Sequence, residues 1–273
     1  MRWVLLIAIG TAALVGVSLF ERSALSGQSA DEKKVQPKSD DETATPFALV
    51  ELFTSEGCSS CPPADDLLGE IVTDARTRRR RVYCLSFHVD YWNGLGWRDP
   101  YSDSALSRRQ REYASVFNSN RVYTPQMVVN GSAEFVGSDR TRARDRIDDA
   151  LKQPVGASVK LSEVEQKDPN SVLLGFEVSQ APPGSVLNVA LVERGLVSRV
   201  TRGENGGQTL RHENVVRAFQ TTRLGEAGKG TVKLKLPADL VLKNSSAVAY
   251  VQNIDVWTVL GATAIDLQPS INR

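Results

Sequence analysis

Phe53-Thr-Ser-Glu-Gly-Cys-Ser-Ser-Cys-Pro-Pro63 sets Cys58 and Cys61 two residues apart. The run before it, Phe47-Ala-Leu-Val-Glu-Leu-Phe53, is short and apolar and predicts a buried strand. After it, Ala64, Leu67, Leu68, Ile71 and Val72 recur at helical spacing. The pair therefore stands between a strand and a helix. At a helix N-terminus, free N–H groups and the positive end of the dipole favour a thiolate. Thiolate is the attacking species in thiol–disulfide exchange. Cys58 is the candidate nucleophile. Cys61, one turn along, is the candidate resolving thiol. Pro62 and Pro63 must fall in the first helical turn, because further in they would kink the helix.

Working outward, Val82-Tyr-Cys-Leu-Ser-Phe87 predicts a second buried strand, and Ser102 or Ser104 a cap for a helix running to about Phe117. Val122–Val129, the Asn130-Gly131 step and Glu134–Val136 predict a hairpin, and Ser138-Asp139 opens a charged helix to about Lys152. The order β-α-β-α-β-β-α over residues 46–153 is that of a thioredoxin-like α/β domain. Thr124-Pro125 then falls where such folds carry a cis-proline beside the cysteine pair. From Pro154 apolar residues alternate, as at Val172, Leu174, Phe176 and Val178, and Gly, Pro and Asn punctuate the runs. That predicts a second domain, 154–273, of about seven short strands in an all-β sandwich.

Trp3 to Phe20 is an uncharged apolar stretch after Arg2. Residues 1–20 read as an export signal, with small residues for cleavage near Ala24-Leu25-Ser26, or as a membrane anchor. Polar residues 21–45 read as a disordered linker. Either way the remainder is expected outside the cytoplasm, periplasmic or secreted, where disulfides persist. The formal net charge of +1 points away from a nucleic-acid partner. The basic run 76–81 reads as a solvated helix end. Three cysteines in 273 residues cannot staple a scaffold, so packing must hold the fold.

Several residues are candidates around the pair. Glu51, inside the first strand, either shuttles a proton to Cys61 or faces outward. Trp92, Trp97 and Tyr91 lie in the loop after the second strand, where an open α/β sheet gathers its ligands, and are candidates for an apolar rim for a peptide. With Thr124 and Pro125, Trp92 would line the substrate groove. Cys84 reads as an inert buried thiol and His212 as structural. Cys58, Cys61 and His88 also make a soft donor set for copper, the basis of a metallochaperone-like alternative. A third reading is an envelope binding protein in which the pair is only a structural disulfide. A zinc site would need four ligands, and no second cysteine pair exists.

VELFTSEGCSSCPPAD, SFHVDYWNGLGWRDPYSD, RVYTPQMVVNG and GENGGQTLRHENVVR, in that order, closely resemble the exported bacterial thioredoxin-like proteins catalogued as a domain of unknown function. The resemblance spans about residues 46–268. It implies a thioredoxin-like domain followed by a β-rich one, and it implies no particular substrate. Gly203-Glu-Asn-Gly and Leu210–Arg217 belong to the pattern and are expected to brace the two domains. The sequence thus favours an exported thiol–disulfide oxidoreductase acting on protein thiols or an envelope redox partner. It would need no cofactor beyond the Cys58–Cys61 disulfide.

Overall fold

The computed structural model describes residues 45–164 and 168–268. The apolar segment 1–20, and the linker as far as residue 44, lie outside the described residues. Among the described residues no helix is long and apolar enough to cross a membrane. The first half of the chain forms β1 (Ala48–Thr54), α1 (Pro62–Thr77), β2 (Val82–His88), α2 (Ser104–Val116), β3 (Gln126–Val129), β4 (Ala133–Val136) and α3 (Arg140–Ala150). Pro62 and Pro63 occupy the first helical turn, where no intrahelical N–H is lost. Helix α2 is capped by Asp103 rather than by Ser102 or Ser104. Asp103 keeps an extended backbone and its carboxylate accepts the Ala105 N–H at 2.7 Å, whereas Ser104 is already helical. In the β3–β4 hairpin, Asn130 and Gly131 both take positive φ. A Cβ on Gly131 would stand 1.9 Å from the Trp257 carbonyl oxygen, so only glycine fits there.

The second half is all β: β5 (Ser158–Val164), β6 (Ser171–Ser179), β7 (Ser185–Glu193), β8 (Leu196–Arg199), β9 (Thr209–His212), β10 (Val215–Arg223), β11 (Lys229–Lys235), β12 (Ser245–Asn253) and β13 (Val259–Asp266). It does not form a separate sandwich. Four of its strands extend the first sheet, giving one eight-stranded sheet in the order β13-β12-β7-β10-β2-β1-β3-β4. The boundary expected at 153/154 is therefore a change of connection, not of core. The join is β10 beside β2. Val215 pairs with Ser86, the Ser86 N–H donates to the Asn214 carbonyl at 2.9 Å, and the Asn214 side-chain amide donates to the Cys84 carbonyl at 2.9 Å.

Strand alternation divides the core by face. Leu49, Phe53, Leu85 and Phe87 share one face with Ala190, Val192, Val248 and Tyr250, under Leu106 and Tyr113 of α2. On the other face, Val50, Leu52 and Cys84 pack against α1 and α3. Farther along, Leu187, Val189, Ala247 and Ala249 pack against a three-stranded sheet, β11-β6-β5. That second layer is the sandwich-like part of the expectation. Burial of both faces makes β12 apolar or small almost throughout. The basic run after α1 is tied into ion pairs, Arg80 with Asp74 and Asp148 and Arg76 with Asp266. Strands β8 and β9 pair only with each other, as a short ribbon outside both sheets.

Candidate active site

The chain leaves β1 at Thr54 and tightens through two turns, with Cys58 N–H donating to the Ser55 carbonyl and Cys61 N–H to the Cys58 carbonyl. Cys61 then occupies the N-cap position of α1 without a side-chain cap, its carbonyl accepting the Ala64 and Asp65 N–H groups. Cys58 and Cys61 form a disulfide, with Cα atoms 5.4 Å apart. Both residues are fully buried.

The Thr124–Pro125 bond is cis. One side chain ties that step to the cysteine turn. Trp92 donates its indole N–H to Thr124 Oγ1 at 2.8 Å, and its Cβ lies 3.0 Å from where a Cβ on Gly57 would stand. Gln110 of α2 holds the same loop from behind. Its amide donates to the Tyr123 carbonyl at 2.7 Å and to Gln126 Oε1 at 3.0 Å, and its Oε1 accepts the Tyr91 hydroxyl at 3.1 Å. Trp92 is thus half-buried structure as well as rim, while Tyr91 and Leu95 are exposed.

A buried polar cluster adjoins the pair. Glu56 is fully buried two residues before Cys58. Its N–H donates to Asp99 Oδ2 at 2.9 Å, its Oε2 accepts the Trp97 indole N–H at 2.8 Å, and its Oε1 lies 3.2 Å from His212 Nε2. His88, at the end of β2, meets Asp99 Oδ2 through Nδ1 at 2.7 Å. Burial would raise Asp99, but His88 and the N–H groups of Glu56 and Tyr101 hold it below the usual carboxylate range. The His88 and His212 rings stand edge to face, 4.8 Å between centres. Asp65, one turn after Cys61 on α1, has Oδ2 3.8 Å from His212 Nδ1. Burial pushes its carboxyl up to about 7, partly opposed by His212. Asp65 Oδ1, His88 Nε2 and His212 Nδ1 are buried without a hydrogen-bond partner. Unpartnered buried polar atoms are rare enough that three in one cluster call for a reason.

The lid of the site comes from far along the chain. Between β8 and β9, Asn205 is buried and its amide donates to the Glu56 carbonyl at 2.8 Å and to the Cys58 carbonyl at 3.0 Å. Glu204 accepts the Ser59 N–H at 2.9 Å, which lowers its carboxyl. Gly203, at φ 77°, packs on Trp97. The bracing role expected of Gly203–Gly206 and Leu210–Arg217 thus falls on the cysteine turn itself. His212 is a member of the cluster, not remote structure. The sequence offered only the scarcity of histidine, two in the chain, and no sign that the two would meet.

Two expectations need correction. Glu51 does not reach Cys61. It lies on the α2 face of β1, opposite α1, bound to Arg109 (Nε to Oε1 2.8 Å) and hydrogen-bonded to Tyr113 and Tyr250. Arg109 in turn is ringed by Phe87, Tyr113, Phe219, Tyr250 and Trp257 at 5.1–5.7 Å. The copper set does not assemble either. The two sulfurs are bonded to each other, His88 Nδ1 is held by Asp99, and no three His, Cys, Asp or Glu side chains among the described residues are grouped to hold a metal ion. Cys84 is buried and free, its thiol pushed up to about 12 by desolvation, which leaves it unreactive.

Residues 49–252 match the family described as a protein of unknown function (DUF1223). No curated protein matches the chain. The crystal structure of a protein from Agrobacterium tumefaciens is similar, at 29% identity and a TM-score of 0.59 over 84% of this chain and 97% of that one. A domain of the outer membrane lipoprotein Omp28 from Porphyromonas gingivalis matches 42% of this chain and 90% of its own, at 15% identity and a TM-score of 0.27, too distant to carry an argument.

Proposed function

The chain belongs to the DUF1223 family, whose description names no reaction, and from the site itself we propose an exported, thioredoxin-like thiol–disulfide oxidoreductase acting on protein thiols. One observation carries this reading. A Cys58–Cys61 disulfide sits at the start of α1, tied through Trp92 to a cis Thr124–Pro125 step, next to a buried carboxyl poised near neutrality. A purely structural bridge has no use for that last group.

In the proposed reaction a client thiolate attacks Cys58 Sγ. The Cys58–Cys61 bond breaks and its electron pair leaves on Cys61 Sγ, which takes a proton from the Asp65 carboxyl one turn away. A second client thiolate then attacks the client sulfur of the mixed disulfide. Cys58 leaves as a thiolate favoured by the helix N-terminus. The client dithiol is oxidised and the cysteine pair reduced by two electrons; run backwards, the same steps reduce a client disulfide. The apolar residues 1–20 support an extracytoplasmic setting, with the envelope as the source of clients.

Insulin reduction, or reactivation of a scrambled disulfide protein, by the purified chain against a Cys58→Ser control tests the reading; equal rates sink it. A reduction potential between about −270 and −120 mV is expected for a working centre. Complete burial of both cysteines favours the second reading, a structural staple. That reading requires a potential below about −300 mV and a Cys58→Ser chain that loses stability and nothing else.

A further inference from the structure

We propose that Gly203–Gly207 is a built-in plug, held by Glu204 and Asn205 on the Cys58–Ser59 peptide bond, that must lift before a client thiol can reach Cys58. The inference rests on the oxidoreductase reading and concerns access to the same site.

The Ser59 N–H and the Cys58 carbonyl are the two polar ends of one peptide bond in the cysteine turn. Here the Glu204 carboxylate takes the donor at 2.9 Å and the Asn205 amide the acceptor at 3.0 Å. The two side chains grip that one peptide bond from its opposite ends, and Asn205 also holds the Glu56 carbonyl at 2.8 Å. With them seated, Cys58 has no exposed surface.

The plug is the tip of the β8–β9 ribbon, and it can lift without breaking either large sheet while buried His212 stays in its cluster. Strands β8 and β9 pair with each other alone. Apart from Asn205, residues 201–209 are exposed. The tip is closed on itself, with Gly207 N–H on the Val200 carbonyl at 2.8 Å and Gln208 N–H on the Asn205 carbonyl at 3.1 Å, so it can lift as a unit. Few, partly exposed hydrogen bonds are the mark of a segment that opens locally.

The test is the rate at which dithiothreitol reduces the Cys58–Cys61 disulfide in the full chain. A plugged site makes the wild-type rate level off at high dithiothreitol, where opening becomes limiting. The Glu204→Ala/Asn205→Ala chain should react at least ten times faster, with a rate proportional to dithiothreitol. A wild-type rate that stays proportional throughout and equals that of an exposed model disulfide overturns the plug. So does an unchanged rate in the double variant when its circular dichroism matches wild type. If that variant does not fold, the wild-type curve alone decides. Dithiothreitol needs no client, so a gated disulfide with no insulin activity sinks the oxidoreductase reading and spares the gate, and an active, ungated chain does the reverse.

Discussion

Asp65 holds its carboxyl inside the protein near pH 7, against 3.8 in an unfolded chain. Between those values the folded chain keeps a proton that the unfolded chain has lost. The stability from this group is whole below about pH 4, falls as pH rises, and is gone above about pH 7. Replacing it should lift that loss. Asp65→Asn is expected to match wild type near pH 4 and to exceed it by roughly 2–4 kcal/mol at pH 8, read from urea midpoints at both pH values. A gap that does not vary with pH would count against a buried carboxyl here. Glu51 makes the opposite case. Removing one partner of its buried pair with Arg109 should cost about 3 kcal/mol or more in Glu51→Gln, while the dithiothreitol rate at Cys58 stays at the wild-type value. The placing of the cysteines between β1 and α1, and of Thr124 and Pro125 before β3, was readable because local spacing fixes it. Glu51 was not, because alternation offers two faces without saying what waits on either. His212 and Asn205 were not, because their meaning lies in residues about 150 positions away.

At the level of elements, β1, β2, α1 and the β3–β4 hairpin followed from apolar period and turn chemistry. β8 and β9 did not, because Leu-Val-Ser-Arg and Thr-Leu-Arg-His are four residues each and too polar to stand out. Strand order was equally hidden: periodicity says that β10 is a strand and nothing of its place beside β2. The seam between α1 and the cis-proline loop is tight. A Cβ on Gly137 would stand 2.7 Å from Leu52 Cδ1, 3.1 Å from Pro125 Cβ and 3.2 Å from Ala64 Cβ. Gly137→Ala should therefore cost about 1–3 kcal/mol by overpacking, and should displace the Pro125 loop with it. Chemical denaturation supplies the cost. A changed dithiothreitol rate reports the loop, and full stability at an unchanged rate would show the seam to be looser than it looks.

Over the whole molecule, the two halves share one sheet and one of its buried faces. Leu85 and Phe87 of β2 pack in the same cluster as Val192, Val216 and Tyr250. A fragment ending at residue 153 loses the neighbour of β2 and uncovers that face. It is expected to fail to fold, or to bind a hydrophobic dye and aggregate, by circular dichroism and size exclusion. The intact chain should unfold in one transition seen alike by tryptophan fluorescence and far-ultraviolet circular dichroism. Two separated transitions would restore the division at 153/154. The same connectivity sets a timetable. Ribosomes add about 5–20 residues per second, so His212 is made roughly 8–30 s after Cys61. During that interval the cysteine turn stands without its lid, open to any oxidant or partner. Only when the ribbon of β8 and β9 arrives can the two sulfurs become fully buried, so closure of the site waits on a stretch about 150 residues downstream of the cysteines.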